Sequence, residues 1–156
     1  MDRFRAYVYD LPALIAARLE WLPPLLARVI VGWVFATTGW GKLQNLPKIV
    51  DFFRDLGIPY PELQAPFVST VELACGTLLI VGLFTRFAAV PLIGTMIVAI
   101  ATAQWQSVDS AAALFGLVET AYVVVLVWLA IEGPGPVSLD RLIERSLSRG
   151  AGDPDA

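Results

Sequence analysis

The chain has no histidine and one cysteine, and these shortages exclude several kinds of chemistry. Without an imidazole it cannot offer histidine ligands to haem, zinc or copper, or use histidine as an acid–base catalyst. The one thiol, Cys75, cannot form a disulfide or a dithiol redox pair within the chain. The net charge is −3, and the basic residues are scattered, so the sequence has no positively charged patch that would bind nucleic acid. We therefore expect no nucleic-acid partner, no metal site and no intrinsic cofactor.

Apolar residues are in excess. They make up 57% of the 156 residues, above the roughly 45–50% of soluble domains, and the mean hydropathy is +0.69. A water-soluble helical bundle is the alternative to a membrane protein, but a domain of this size has too little interior to bury so much apolar surface. We therefore expect one integral membrane domain, with the lipid bilayer as its main partner.

Four stretches are long enough to cross a hydrocarbon core of about 30 Å as helices. The predicted fold is therefore an all-α membrane protein, a bundle of four transmembrane helices. Pro66 is expected in the first turn of the second span, and Pro91 inside the third predicts a kink or an early start. The predicted spans are 22–41, 66–84, 87–105 and 113–131.

Three segments outside the spans have their own signatures. Residues 11–20 are expected to form a short interfacial helix, and residues 149–156 a disordered tail. The first loop, 43–65, carries apolar residues at helical spacing and predicts an amphipathic helix that ends at Gly57-Ile58-Pro59. This helix could cover the polar residues at that end of the bundle or serve as a plain connector.

Lysine and arginine are unevenly distributed between the two sides of the predicted bundle. The side with more of them is expected to face the cytoplasm. This predicts a multi-pass protein with both termini in the cytoplasm. One side has Arg3, Arg5, Arg18, Arg86, Arg141, Arg145 and Arg149, and the other has Lys42, Lys48 and Arg54.

Four polar residues are expected near the outer ends of the spans. Lys42 ends the first span and Gln104 the third, while Glu72 and Glu119 each lie about six residues into spans that start on the outer side. A lysine paired with a carboxylate could simply fix the helices in register. Alternatively, two carboxylates near one lysine leave one acid poorly paired. That arrangement would suit a ligand pocket that exchanges protons with a quinone-like or phenolic molecule.

Other polar and small residues within the spans have structural interpretations. Arg28 is expected to extend its guanidinium to the inner surface rather than to bind a ligand. Cys75 is expected to be an inert packing residue. Glycines such as Gly32 and Gly76 predict close helix packing, because a glycine lets two backbones approach each other.

These residues form an ordered set of motifs that resembles the DoxX family of small four-helix membrane proteins. The resemblance covers about residues 25–142. The motifs are Arg28 with Gly32, Gly39-x-Gly41-Lys42, Gly57-Ile58-Pro59-x-Pro61, Glu72-x-x-x-Gly76, Gly82-x-x-Thr85-Arg86, and Gly133-Pro134-Gly135-Pro136-x-Ser138-Leu139-Asp140.

The resemblance implies a bacterial or archaeal inner membrane and an association with quinone- or thiol-linked redox systems. Arg28, Lys42, Glu72 and Arg86 match motif positions of the family, whereas Gln104 and Glu119 come from the sequence pattern alone. We expect a subunit of a membrane redox system that handles a quinone-like or phenolic molecule. Whether the chain is itself catalytic stays open.

Such a subunit would need a membrane or soluble redox partner protein, and it could form a homo-oligomer. Two further hypotheses remain. The chain could be a non-enzymatic binder or transporter of a small hydrophobic molecule, or it could be a structural assembly subunit.

Overall fold

The computed structural model describes residues 11–150, and every regular element within that range is helical. The all-α prediction is therefore confirmed. The third long helix continues through a π-helical turn, Ile100–Gln104, into a short 3-10 turn, Trp105–Ser107. The α-helices are α1 (Leu11–Leu19), α2 (Leu22–Gln44), α3 (Leu46–Asp55), α4 (Pro61–Val81), α5 (Thr85–Ala99), α6 (Ala111–Gly116), α7 (Val118–Glu132) and α8 (Leu139–Gly150).

Three helical stretches within the described range are long and apolar enough to cross a membrane. They are Ala16–Gln44, Pro61–Val81 and Thr85–Gln104. The fourth predicted span, 113–131, is not confirmed as one helix, because Leu117 has an extended backbone (φ −70°, ψ 137°) that separates α6 from α7. With 15 residues, α7 alone extends about 22 Å, less than a hydrocarbon core.

The helix ends differ from the predicted ones where local backbone geometry decides them. The helix α4 begins five residues early, so Pro61 occupies its first turn and Pro66 lies inside it. One proline near a helix start removes a single hydrogen bond, which the helix tolerates there. The helix α4 ends at Val81 because Gly82 is left-handed (φ 70°) and its N–H donates to the carbonyls of Leu78 and Leu79.

Further predictions at the chain ends and in the loop can be compared with the structure. The segment 11–20, predicted as an interfacial helix, is helical as α1. The predicted loop helix is α3, and it ends before Gly57, whose φ of 71° is left-handed. The helix α5 runs through Pro91 without a break. The predicted tail, 149–156, overlaps α8, which continues to Gly150; its remainder lies outside the described residues.

Close contact between α2 and α4 is the central packing feature. A Cβ on Gly39 would lie 2.5 Å from the backbone nitrogen of Leu73, and one on Gly76 would lie 2.5 Å from that of Ala36. Only glycine therefore permits this approach, as the sequence predicted. Cys75 packs against the adjacent apolar core, as expected for a packing residue. The buried core cluster consists of Val31, Phe35, Leu79, Ala88, Ala89, Leu92 and Leu126.

The bundle has two distinct ends. The end where α1, the α4–α5 turn and α8 meet is called the termini end below. The opposite end, which carries α3 and the turns that follow α5, is called the loop end. An edge-to-face contact between Phe35 and Tyr122, with centroids 5.7 Å apart, joins α2 to α7 between the two ends.

Candidate functional site

Lys42 and Glu72 form an ion pair at the loop end. The Nζ atom of Lys42 donates to both carboxylate oxygens of Glu72 at 2.7 Å. The Glu72 side chain is 2% exposed and that of Lys42 is 26% exposed. Both oxygens of the buried carboxylate are bonded to a cation, so its charge is paired. This geometry favours the structural interpretation of the pair.

Gln104 and Glu119 form a separate pair. The Nε2 atom of Gln104 donates to Oε1 of Glu119 at 3.2 Å, which links the π-helical turn to α7. Within residues 11–150, no hydrogen bond connects this pair to Lys42 or Glu72. The structure therefore brings the four predicted residues together as two pairs rather than as one cluster.

The helix α3 is fixed to the start of α4 by Arg54. Its guanidinium donates to Glu62 at 2.8 Å and to Asp51 at 2.6 Å. Both hydrogen bonds raise the pKa of Arg54 above its usual value, and the one that it donates to Glu62 has the larger effect. None of the described hydrogen bonds joins α3 to Glu72. The contacts of Arg54 establish α3 as a connection to α4, and a cover over the ion pair stays a prediction.

A groove of about 1140 Å³ opens at the termini end, away from the predicted polar residues. It lies between α1, the start of α2, the α4–α5 turn, the end of α7 and α8. Its walls combine aromatic, prolyl and aliphatic surface with charged side chains. The aromatic members are Phe84, Phe87 and Trp128, and the charged members are Glu20, Arg86, Glu132, Asp140, Arg141 and Glu144.

Two polar contacts shape the floor of the groove. The Asp140 carboxylate accepts hydrogen bonds from the backbone N–H groups of Phe84 at 2.9 Å and Thr85 at 3.3 Å, at the start of α5. The Arg86 guanidinium donates to the carbonyl of Glu132 at 3.3 Å. The chain after α7 is therefore tied back to the α4–α5 turn, and a cationic group is held at the groove wall.

Arg28 is buried rather than extended to the surface. It is 3% exposed, and its Nη2 atom donates to the carbonyl of Val137, so the expectation that it reaches the inner surface is wrong. The reason is that the segment between α7 and α8 folds over it, and Asp140 lies close enough for the two charges to attract. A Cβ on Gly82 would overlap the guanidinium, which explains the glycine at this position.

Replacing Asp140 by alanine should destabilise the protein by about 1 kcal/mol, the usual cost of losing a side chain that caps a helix start. The variant would leave the backbone N–H groups of Phe84 and Thr85 without the Asp140 carboxylate as a partner. Thermal unfolding in detergent measures the loss. Glu144→Ala on the same helix removes only an exposed pair with Arg141 and should unfold close to the wild type. Equal losses in the two variants would contradict the capping role.

Sequence reasoning missed the groove because its walls come from five separate segments. One signal was available. The spacing of apolar residues from Leu139 to Leu147 is that of an amphipathic helix, directly after the Gly-Pro-Gly-Pro segment. That signal predicts the helix α8, but not its position beside the α4–α5 turn.

The DoxX family model matches residues 24–105, more than half of the sequence. The chain belongs to the DoxX family. Its motif glycines Gly32, Gly39 and Gly76 form the α2–α4 contact, and its Lys42 and Glu72 form the ion pair. The motif residues Arg28 and Arg86 lie at the termini end, whereas Gly57 and Pro59 follow α3.

Curated relatives cover most of this DoxX chain. It is 34% identical to the "Uncharacterized membrane protein Rv3486" of Mycobacterium tuberculosis, over 83% of this chain and 88% of the relative. It is 31% identical to the "Putative oxidoreductase CatD" of Bacillus subtilis, over 81% and 90%. The "Inner membrane protein YqjF" of Escherichia coli is 26% identical, over 82% and 97%. No solved structure matches the chain at a significant level.

Proposed function

We propose that this DoxX-family membrane protein is a subunit of a redox system and binds a quinone-like or phenolic molecule in the groove at the termini end. The observation that carries the proposal is the groove itself, in which aromatic walls lie next to Arg86 and two carboxylate-bearing residues, Glu20 and Glu132. Support for a redox setting comes from CatD, the relative whose name describes it as an oxidoreductase.

The groove has the chemical features that such a ligand needs. A flat, mostly apolar ring can pack against Trp128 and the neighbouring phenylalanines. A ring carbonyl or phenolic oxygen can accept a hydrogen bond from the Arg86 guanidinium, which keeps donors beyond the one used on Glu132. Carboxylates at the rim can take up or release the protons that accompany quinone reduction and quinol oxidation.

The proposed membrane arrangement has four crossings. Residues 111–132 would form the fourth, with α6 and α7 joined across the break at Leu117. Irregular backbone at that depth is tolerated where protein covers it. Both termini would face the cytoplasm, which places the groove at the inner surface of the inner membrane. Two relatives from E. coli are named inner membrane proteins, which supports the inner membrane as the location.

The loop-end pairs would then have a structural role, and electrons would pass to a partner protein. The chain offers one thiol and no histidine, so the proposal assigns it binding and proton exchange rather than electron storage. The partner could be a membrane or soluble redox protein. A binder or transporter without redox coupling would use the same groove.

A binding titration with a short-chain water-soluble quinone tests this proposal. Trp128→Ala and Arg86→Gln should each weaken binding several-fold, because they remove an aromatic wall and a hydrogen-bond donor. Trp105→Ala is a matched control, since Trp105 is a 65% exposed tryptophan at the loop end, and it should bind as the wild type does. Isothermal titration of the protein in nanodiscs measures the affinities.

Glu72→Gln separates the two ends of the bundle. We expect it to bind the quinone normally while unfolding at a lower temperature, because it weakens the pair with Lys42. If Glu72→Gln lost binding while the Trp128 and Arg86 variants kept it, the site would lie at the loop end. Normal binding followed by no quinone-dependent electron transfer to any membrane fraction would favour the binder without redox coupling.

A further inference from the structure

The helix α8 has an exposed apolar face that no described part of the chain covers. Leu139, Leu142, Ile143 and Leu147 recur at helical spacing and so share one side of the helix. Their exposed fractions are 40%, 59%, 46% and 69%. Charged residues, including Arg141 and Arg145, lie on the opposite side, so α8 is amphipathic from Leu139 to Leu147.

Three contacts fix the start of α8 to the end of the bundle. The Asp140 carboxylate accepts from the backbone N–H groups at the start of α5, and its own N–H donates to the carbonyl of Gly82 at 3.0 Å. Just before the helix, Val137 accepts from the buried Arg28. Ser138 caps the helix, since its Oγ accepts from the N–H of Arg141 at 3.2 Å. These contacts prevent α8 from moving away from the ends of the long helices.

The groove shows how α8 lies relative to the end of α7. Ile143 and Glu144 line the same groove as Trp128 and Glu132, which belong to the last two turns of α7. Tryptophan near the end of an apolar helix, followed by a charged residue, is typical of the boundary between hydrocarbon and headgroups. The middle of α8 is therefore level with that boundary.

We infer that α8 lies in the surface of the bilayer that holds the long helices, with the side chains of Leu139, Leu142 and Leu147 in the lipid and Ile143 at the edge of the groove. The occupant of this face is phospholipid, because α8 begins at the turn between two helices long and apolar enough to cross a membrane and so lies at interfacial depth. A helix with one apolar and one charged face is stable in that position. The charged face then points to the groove and to water.

Site-directed fluorescence tests this inference on the full chain. A Cys75→Ser background carries a single new cysteine at Leu142 or Glu144, labelled with an environment-sensitive fluorophore. The two positions are both exposed, at 59% and 67%, and are two residues apart, so they lie on opposite faces of α8. The labelled proteins are reconstituted in phosphatidylcholine–phosphatidylglycerol vesicles with iodide on both sides, so that a mixed orientation does not matter.

The label at Leu142 should emit at shorter wavelength, show several-fold weaker quenching by iodide and be quenched by lipids that carry a shallow spin label. The label at Glu144 should show the reverse. Equal iodide quenching at both positions would overturn the inference. Protection of Leu142 that disappears when the protein is diluted in lipid, without quenching by spin-labelled lipid, would assign the face to a second copy of the chain instead. A Leu139→Cys label gives an independent repeat on the apolar face.

Discussion

Lys42→Met should lower the free energy of unfolding by about 3 kcal/mol, the lower end of the cost of breaking a buried ion pair. The variant leaves the Glu72 carboxylate, which is 2% exposed, without the cation that pairs with it in the described structure. Within a span, water cannot replace the lost partner, so the folded protein must hold either an unpaired charge or a protonated acid. Unfolding in a detergent–denaturant titration measures the loss.

A double variant distinguishes the pair from its individual members. Lys42→Met combined with Glu72→Leu removes both charges, and it should recover most of the lost stability because no charge remains uncompensated. Arg54→Met breaks two exposed ion pairs, with Asp51 and Glu62, at the same end of the bundle and should unfold close to the wild type. If the double variant were as unstable as Lys42→Met, the pair would not be the reason for the loss.

Gly39→Ala should destabilise the bundle by about 2 kcal/mol, within the range of overpacked contacts. The new methyl group would lie 2.5 Å from the backbone nitrogen of Leu73 and 2.7 Å from the carbonyl of Ser69. Backbone atoms cannot rotate out of the way as a flexible side chain can, so α2 and α4 must separate along their length. Thermal unfolding and a shift in the accessibility of Cys75 to a thiol reagent both report this separation.

Gly41→Ala is the matched control, because it adds the same methyl group two residues along the same helix. A Cβ there has no neighbour within 4 Å. The change should leave stability within about 1 kcal/mol of the wild type, or raise it slightly, since alanine favours a helix more than glycine does. Equal losses at Gly39 and Gly41 would show that backbone flexibility rather than helix contact decides the effect. Gly76→Ala should behave like Gly39→Ala, because it meets Ala36 across the same contact.

The predicted polar residues show how far local patterns reach. Helical spacing placed Lys42 and Glu72 at the same level of adjacent antiparallel helices, and the structure pairs them. The same reasoning grouped them with Gln104 and Glu119, which instead pair with each other. Spacing gives the depth of a residue in a span but not the direction in which the neighbouring helix faces. Direction depends on how the helices pack.

By itself the sequence determined the all-α class, three of the long helical segments, the helices α1 and α3 outside them, and the glycine contact between α2 and α4. These follow from apolar runs, periodicity and residue size, which are local properties. Only the tertiary structure decided the break at Leu117, the burial of Arg28 and the groove. Arg28 and Val137 are 109 positions apart, and the groove walls come from five segments. No local pattern encodes such contacts, because they depend on how the chain folds back on itself. In this histidine-free chain the buried charges of Arg28 and Glu72 acquire their partners only through the tertiary structure.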